Sequence, residues 1–249
     1  MQRERRRRKG RGRIAGMVFL LLLLLLAVAA LIAVKLFTVD KVSVSGSTYY
    51  SQEDIEKWIL DDDYSWNSLY VFFKYKFEEP RELAFVDSVD VSLDPPHTLK
   101  ITVHEKELMG RIYIDSLGQN AYFDKGGTVV EMSSEEVKGV PKVTGIDVDK
   151  IVLYEKLPIK GNSVLKNILS LTQILKKYEL TPKNIEYGTE GSYTLKFGKI
   201  SVMLGQAKDF NQKVSRLSRI LPKLEGQKGT LHLESWSENT TDITFETSK

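Results

Sequence analysis

Val89-Asp90-Val91-Ser92-Leu93-Asp94-Pro95-Pro96-His97-Thr98-Leu99-Lys100-Ile101-Thr102-Val103 is the clearest local signal in this chain. Val89, Val91 and Leu93 alternate with polar residues, Asp94-Pro95-Pro96-His97 turns, and Leu99, Ile101 and Val103 alternate back. A period of two on both arms places the apolar side chains on one face, so the stretch is a hairpin with one buried and one wet side. Upstream, Val42-Ser43-Val44 alternates as a strand and stops at Gly46. Ser51 is a helix N-cap with Asp54 in capping-box position, and Ile55, Trp58 and Ile59 share one helical face. The Asp61-Asp62-Asp63 run breaks that pattern and is expected as a solvated turn. A second short helix carries Leu69, Val71, Phe72 and Phe73. A further one is expected from Pro80 through Leu83 and Phe85. The segment Val39–Glu105 thus reads as a β-α-α-β-β module with Val91 and Ile101 in its core.

Outward from the module, the N-terminal side changes character. Ile14 to Val34 holds no charge, and 20 of its 21 residues are apolar, seven of them successive Leu. At ~1.5 Å per residue such a helix is about 31 Å long, the thickness of a hydrocarbon core. Eight basic residues and one acidic precede it, whereas only Lys35 and Lys41 follow closely. That asymmetry predicts a cytoplasmic N-terminus and an exported remainder. A signal peptide cleaved near Ala27-Val28-Ala29 is the competing expectation, but Leu31, Ile32 and Val34 extend the apolar run past a usual h-region. The formal charge of +3 therefore hides a basic tail on a body that sums to −4, with 28 basic against 32 acidic residues. A nucleic-acid-binding body is not expected. The absence of cysteine excludes disulfides, thiolate metal sites and cysteine nucleophiles.

Downstream of Glu107 the chain is strand-rich. Ala121–Val130 reads strand, turn at Asp124-Lys125-Gly126-Gly127, strand. Ser163–Tyr178 is an amphipathic helix with Val164, Ile168, Leu171, Leu175 and Tyr178 on one face. Two alternating strands meet at Gly198-Lys199, and a helix follows with Phe210, Val214, Leu217 and Leu221. Thr230–Glu234 and Ile243–Phe245 are the last candidate strands. The expected class is α+β, with a single N-terminal transmembrane helix. The expected divisions are a basic tail (1–13), the membrane helix (14–37), the first module (38–106), a strand-rich domain (107–235) and a C-terminal turn, last strand and tail (236–249).

These residues resemble the FtsQ/DivIB family of bacterial cell-division proteins, whose membrane anchor is followed by a POTRA domain and a β-domain. In that family a Pro-x-Val-x-x-Ala-x-Val strand leads to Pro-x-Thr-Leu-x-Ile-x-Val-x-Glu-Arg. This sequence supplies Val86, Val91, Pro96, Thr98, Leu99, Ile101, Val103 and Glu105, and departs at Ala84, Val89, Lys106 and Leu108. Gly46-Ser47 replaces the usual Gly-Asn. Asp124–Val129, Val140–Gly145 and Val202-Met203-Leu204-Gly205 are similar to its Asp-x-x-Gly-x-Val, Leu-Pro-x-Leu-x-Gly and Val-x-Leu-Gly segments. The resemblance implies a divisome scaffold at the septal cell membrane. Its partners would be FtsL and FtsB/DivIC-type bitopic proteins and, through them, the septal transpeptidase and glycosyltransferase.

No catalytic constellation accompanies this. His97, His104 and His232 lack metal-ligand spacing. Ser163-Val164-Leu165-Lys166 matches Ser-x-x-Lys, but the Ser-Asp-Asn and Lys-Thr-Gly that such enzymes also need are missing. Gly126, Gly127, Gly188 and Gly191 read as turn glycines. Asn239-Thr240-Thr241 is a formal glycosylation sequon that reads as a turn. No enzyme activity, metal or cofactor is expected. A hydrolase or transferase would need paired carboxylates or a Ser/Lys centre. A POTRA-bearing membrane-anchored chaperone or assembly factor, the alternative function, would need repeated modules or a barrel. The candidate partner-binding residues are Ile243, Thr244, Phe245, Leu231 and Leu233, because a final strand leaves its outer edge open, and the resemblance implies docking there too.

Overall fold

In the computed structural model, which describes residues 2–94, 97–236 and 243–248, the chain divides into two compact units, Met1–Glu105 and Lys106–Lys249. The architecture is mixed α+β. Pro95 and Pro96 of the expected hairpin turn lie outside the described residues, as do Ser237–Asp242 and the sequon within them.

The first unit begins with helix α1 (Gln2–Leu36). Its stretch Ile14–Leu36 is 23 residues long, and among the described side chains none in its apolar window is buried. A core helix of a soluble protein would be covered, so this one meets the length and composition needed of a membrane anchor or of a signal sequence. Then follow β1 (Lys41–Ser45), α2 (Gln52–Ile59), α3 (Ser68–Phe77), β2 (Val86–Asp94) and β3 (Thr98–Glu105). The sheet order is β1-β3-β2, with β1 parallel and β2 antiparallel to β3. β3 is therefore central, and Leu99, Ile101 and Val103 are buried. Their partners on the edge strand, Val91 opposite Ile101 among them, are only half-buried. The expectation that both residues are core thus holds fully for Ile101 and by half for Val91. Gly46 ends β1 at φ +80°, and a Cβ there would run into the Val103 carbonyl.

Ser51 and Asp54 form a reciprocal capping box on α2, which buries Ile55 and Ile59 against the sheet. The helix expected from Pro80 does not form. After α3 ends at Phe77 the chain runs irregularly to Val86, and side chains take up its carbonyls in place of a helical ladder. Trp58 Nε1 donates to Arg81 O at 3.2 Å and the Tyr50 hydroxyl to Ala84 O at 2.9 Å. Phe85, buried with a left-handed φ of 66°, then turns the chain into β2. The Asp61–Asp63 run is the solvent-facing turn expected, and two of its carboxylates are ion-paired. Lys74 Nζ bridges Asp61 and Asp62 at 2.7 and 2.6 Å, and Arg81 pairs with Asp61 at 2.5 Å. Hydrogen bonds from Lys74 hold both carboxyls below the usual range. Partial burial opposes the charge on Lys74, but the two carboxylates keep its pKa above the usual value.

Among its described residues the second unit forms a nine-stranded sheet: β4 (Gly110–Ile114), β5 (Gln119–Phe123), β6 (Val129–Ser133), β7 (Lys142–Thr144), β8 (Asn184–Tyr187), β9 (Ser192–Phe197), β10 (Ile200–Gln206), β11 (Gly229–His232) and β12 (Thr244–Thr247), in the order β12-β11-β10-β9-β8-β7-β4-β5-β6. Helices α4 (Asn162–Lys177) and α5 (Phe210–Ile220) bury Ile168, Leu171, Leu175, Val214 and Leu217 in the one core it shares. Alternation on β9 and β10 buries Tyr193, Leu195, Ile200, Val202 and Leu204 and leaves their neighbours wetter. Ser163 sits in the first turn of α4, behind Gly161 at the N-cap.

Candidate functional site

The expected partner-binding residues converge on one border of the nine-stranded sheet. β11 runs parallel to β10, and β12 folds back antiparallel on β11, pairing Thr230 with Glu246, Leu231 with Phe245 and His232 with Thr244. β12 is the terminal strand of the sheet order. The two outermost strands are held closely. A Cβ on Gly229 would strike the Glu246 carbonyl and come within 2.8 Å of the Phe245 ring, so only glycine admits this approach.

The five residues do not share one role. Leu231 and Leu233 are fully buried among Leu204, Val214 and Leu217, so their side chains belong to the core and present nothing to a partner. Phe245 and Ile243 are half-buried and pack on that core from the edge. Thr244 is exposed.

What the border offers is backbone, and the hydrogen-bond phase says which. Gly229 N donates to Lys199 O, and Leu233 N to Met203 O, so the odd-numbered amides there face β10. The even-numbered amides of Thr230 and His232 consequently face β12. Ser248 N donates to Lys228 O, which sets the same phase across the pair. Thr244 and Glu246 therefore exchange ladder bonds with β11, whereas the N–H and C=O groups of Phe245 and Thr247 point outward. Among the described residues no strand covers that side. Thr247 is the residue sequence reasoning missed; the signal that finds it is strand phase, which single-strand alternation does not carry.

The solvent face of the border holds one titratable device. His232 Nδ1 lies 2.7 Å from Glu234 Oε1, and Nε2 lies 3.6 Å from Glu246 Oε2 on β12. The hydrogen bond with Glu234 raises the His232 pKa; burial opposes it, and the charges of Glu234 and Glu246 add to the rise. A raised folded-state pKa stabilises the protein fully below the unfolded value of about 6.5, and that contribution fades as pH rises through the folded value. Thermal melts should therefore show the parent losing stability relative to His232→Gln as pH rises above the unfolded value of about 6.5, with the two converging once the folded imidazole is neutral. Parallel curves across that interval would remove His232 from the strand pair.

Two clefts adjoin the ends of these strands. One, of about 520 Å³, is lined by Leu180, Phe197, Ile200, Leu221 and Pro222 beside the Lys199 carbonyl that receives Gly229. The other, of about 410 Å³, is polar and includes Lys213, Glu234 and Trp236. Lys213 is buried, and its ammonium donates to Leu204 O at 2.7 Å and Glu234 O at 3.2 Å. Burial lowers its pKa. Leu204 lies within β10 and Glu234 just beyond β11, so Lys213 ties β10 to the chain leaving β11. Among the described residues no group of three His, Cys, Asp or Glu is placed to hold a metal ion.

No family model matches the chain, and no curated protein is found to match it.

Proposed function

We propose that this chain is an anchored interaction protein of the bacterial division machinery, an FtsQ/DivIB-type scaffold. In this reading α1 is retained with its N-terminus in the cytoplasm, the first unit is a POTRA-type module and both units are extracytoplasmic at the septum. The protein makes and breaks no bonds. It recruits FtsL and FtsB/DivIC-type single-span proteins and through them controls the septal transpeptidase and glycosyltransferase.

The observation that supports this best is the outward row of Phe245 and Thr247 backbone groups at the end of a nine-stranded sheet. An open edge either aggregates or receives a strand, and the hydrogen bonds of strand addition are indifferent to most side chains. The motifs shared with the family, from Val86 to Glu105, point to the same class of partner. The test is affinity capture of the full chain from detergent-solubilised membranes of its source organism. Small bitopic proteins with a coiled coil are expected in the eluate; a preparation free of division proteins would overturn the assignment.

Topology is tested separately. Protease added to intact protoplasts should remove 39–249 and spare a tag at Met1. A digested tag with a protected C-terminal region would reverse the orientation, and a mature chain starting near Ala30 would make α1 a signal peptide.

A further inference from the structure

Ten large apolar residues outside α1 are exposed among the described residues, and five of them fall within 64–77: Tyr64, Trp66, Tyr70, Phe73 and Phe77. Their exposures run from 37% for Tyr70 through 49% for Trp66 to 77% for Phe77, so these rings are not merely grazed by solvent. Tyr70, Phe73 and Phe77 recur at spacings of three and four on α3, whose opposite face buries Ser68 and Val71. A ten-residue helix that is apolar on both faces has two apolar surroundings. One is the core of the first unit.

The other is fixed by where α3 is tethered. Val39 N donates to Trp66 O at 2.8 Å, Ser68 N donates to Phe37 O at 2.8 Å, and Thr38 bridges Asn67. Val39 lies three residues beyond Leu36, at most about 11 Å of chain past the end of the apolar helix. Trp66 and the start of α3 are therefore held next to the point where α1 would leave the bilayer. The chemistry of the patch suits that depth. Trp and Tyr present an apolar body with a polar tip, and Lys76 holds its ammonium 5.7 Å from the Phe72 ring centre and 6.0 Å from that of Phe77. The nearby carboxylates of Asp61 and Asp62 are paired with Lys74 and Arg81, which removes much of their repulsion toward anionic headgroups.

We infer that this face, from Tyr64 to Phe77, rests on the bilayer in which α1 is anchored, with its aromatic rings in the interfacial layer and the first unit held against the membrane. This rests on the reading of α1 as a retained anchor. Interfacial aromatics on a short helix lie in the plane of the membrane and add their buried apolar area to the attachment.

The chain lacks cysteine, so single labels are clean. The full chain with Phe77→Cys or Asp87→Cys, each carrying a nitroxide, is reconstituted into phosphatidylcholine vesicles containing a quarter phosphatidylglycerol, with no other protein present. The ratio of oxygen to nickel-chelate collision should be at least about threefold higher at position 77 than at the exposed position 87. In a Trp58→Phe/Trp236→Phe background, brominated lipids should quench Trp66 and acrylamide should reach it less than in a Phe73→Ser/Phe77→Ser variant. Equal nitroxide ratios and a Trp66 open to acrylamide, in a chain whose α1 resists carbonate extraction, would overturn the inference while leaving the anchor intact. Rings shielded from acrylamide but not quenched by brominated lipid would assign the face to a second copy of the chain and overturn it too. A chain that carbonate extracts would remove the anchor reading and this inference with it.

Discussion

Ile101→Asp is expected to unfold the first unit while leaving the second folded. Ile101 is fully buried at the middle of the central strand, opposite Val44 on β1 and Val91 on β2. An aspartate there has strand neighbours on both sides and the Ile55 and Ile59 cluster over it, so neither water nor a cation reaches it. The cost of an uncompensated buried charge is about 4 kcal/mol or more. A module of about 70 residues has roughly 3–10 kcal/mol in total, so the variant sits near or past its midpoint without denaturant. Val91→Asp probes the same face from the edge. Val91 is half-exposed, the carboxylate turns to solvent, and the loss should stay near 1–2 kcal/mol. Urea titrations followed by Trp58 and Trp66 emission in a Trp236→Phe background report the first unit alone. Equal midpoints for the two variants would contradict the central placement of β3.

That difference between two residues of one hairpin marks how far the sequence was legible. Alternation located β2, β3, β9 and β10 because it is a property of each strand by itself. The capping box at Ser51 and the apolar faces of α4 and α5 were legible for the same reason: all are settled within one or two helical turns. The neighbours across a sheet are not. Nothing local in Lys41–Ser45 states that it pairs parallel with β3, and it is this pairing that buries Ile101 more deeply than Val91. β4 and β8 were missed because neither shows a period of two: Gly110, Arg111 and Ile112 are all buried, and β8 is only four residues long, set between antiparallel β9 and the three-residue parallel β7. The helix expected at Pro80 failed through competition. Local propensity favoured a first turn, but side chains of Tyr50 and Trp58 reached the carbonyls first. At the candidate site a last strand was legible, but expected over Ile243–Phe245 it runs Thr244–Thr247, and the depth of Leu231 and Leu233 and the direction of each amide needed the assembled sheet.

Amide direction makes the second large effect specific to one residue. Thr247→Pro should weaken strand addition strongly without unfolding the second unit. Its N–H points away from β11, so proline removes no existing bond, and an edge position with a solvent-facing N–H is where a sheet tolerates proline. An incoming strand loses a donor and meets the pyrrolidine ring. Together these should cost about 1.5–3 kcal/mol, or roughly 10- to 100-fold in affinity for the proposed FtsB/DivIC-type partner. Thr244→Pro is the necessary contrast. The Thr244 amide faces His232 across the ladder, so this proline breaks β12 away from β11 and lowers the melting temperature as well as binding. Phe245→Ala separates a third contribution, since it thins the core at the border while keeping every backbone donor. Calorimetric titration of the full chain in detergent, paired with melting curves, distinguishes the three. Weakened binding with an unchanged melt in Thr247→Pro alone identifies the outer edge as the docking surface. Unchanged affinity in that folded variant would mean that the partner reads another face, and the row of open groups at Phe245 and Thr247 would then be only the place where the sheet stops.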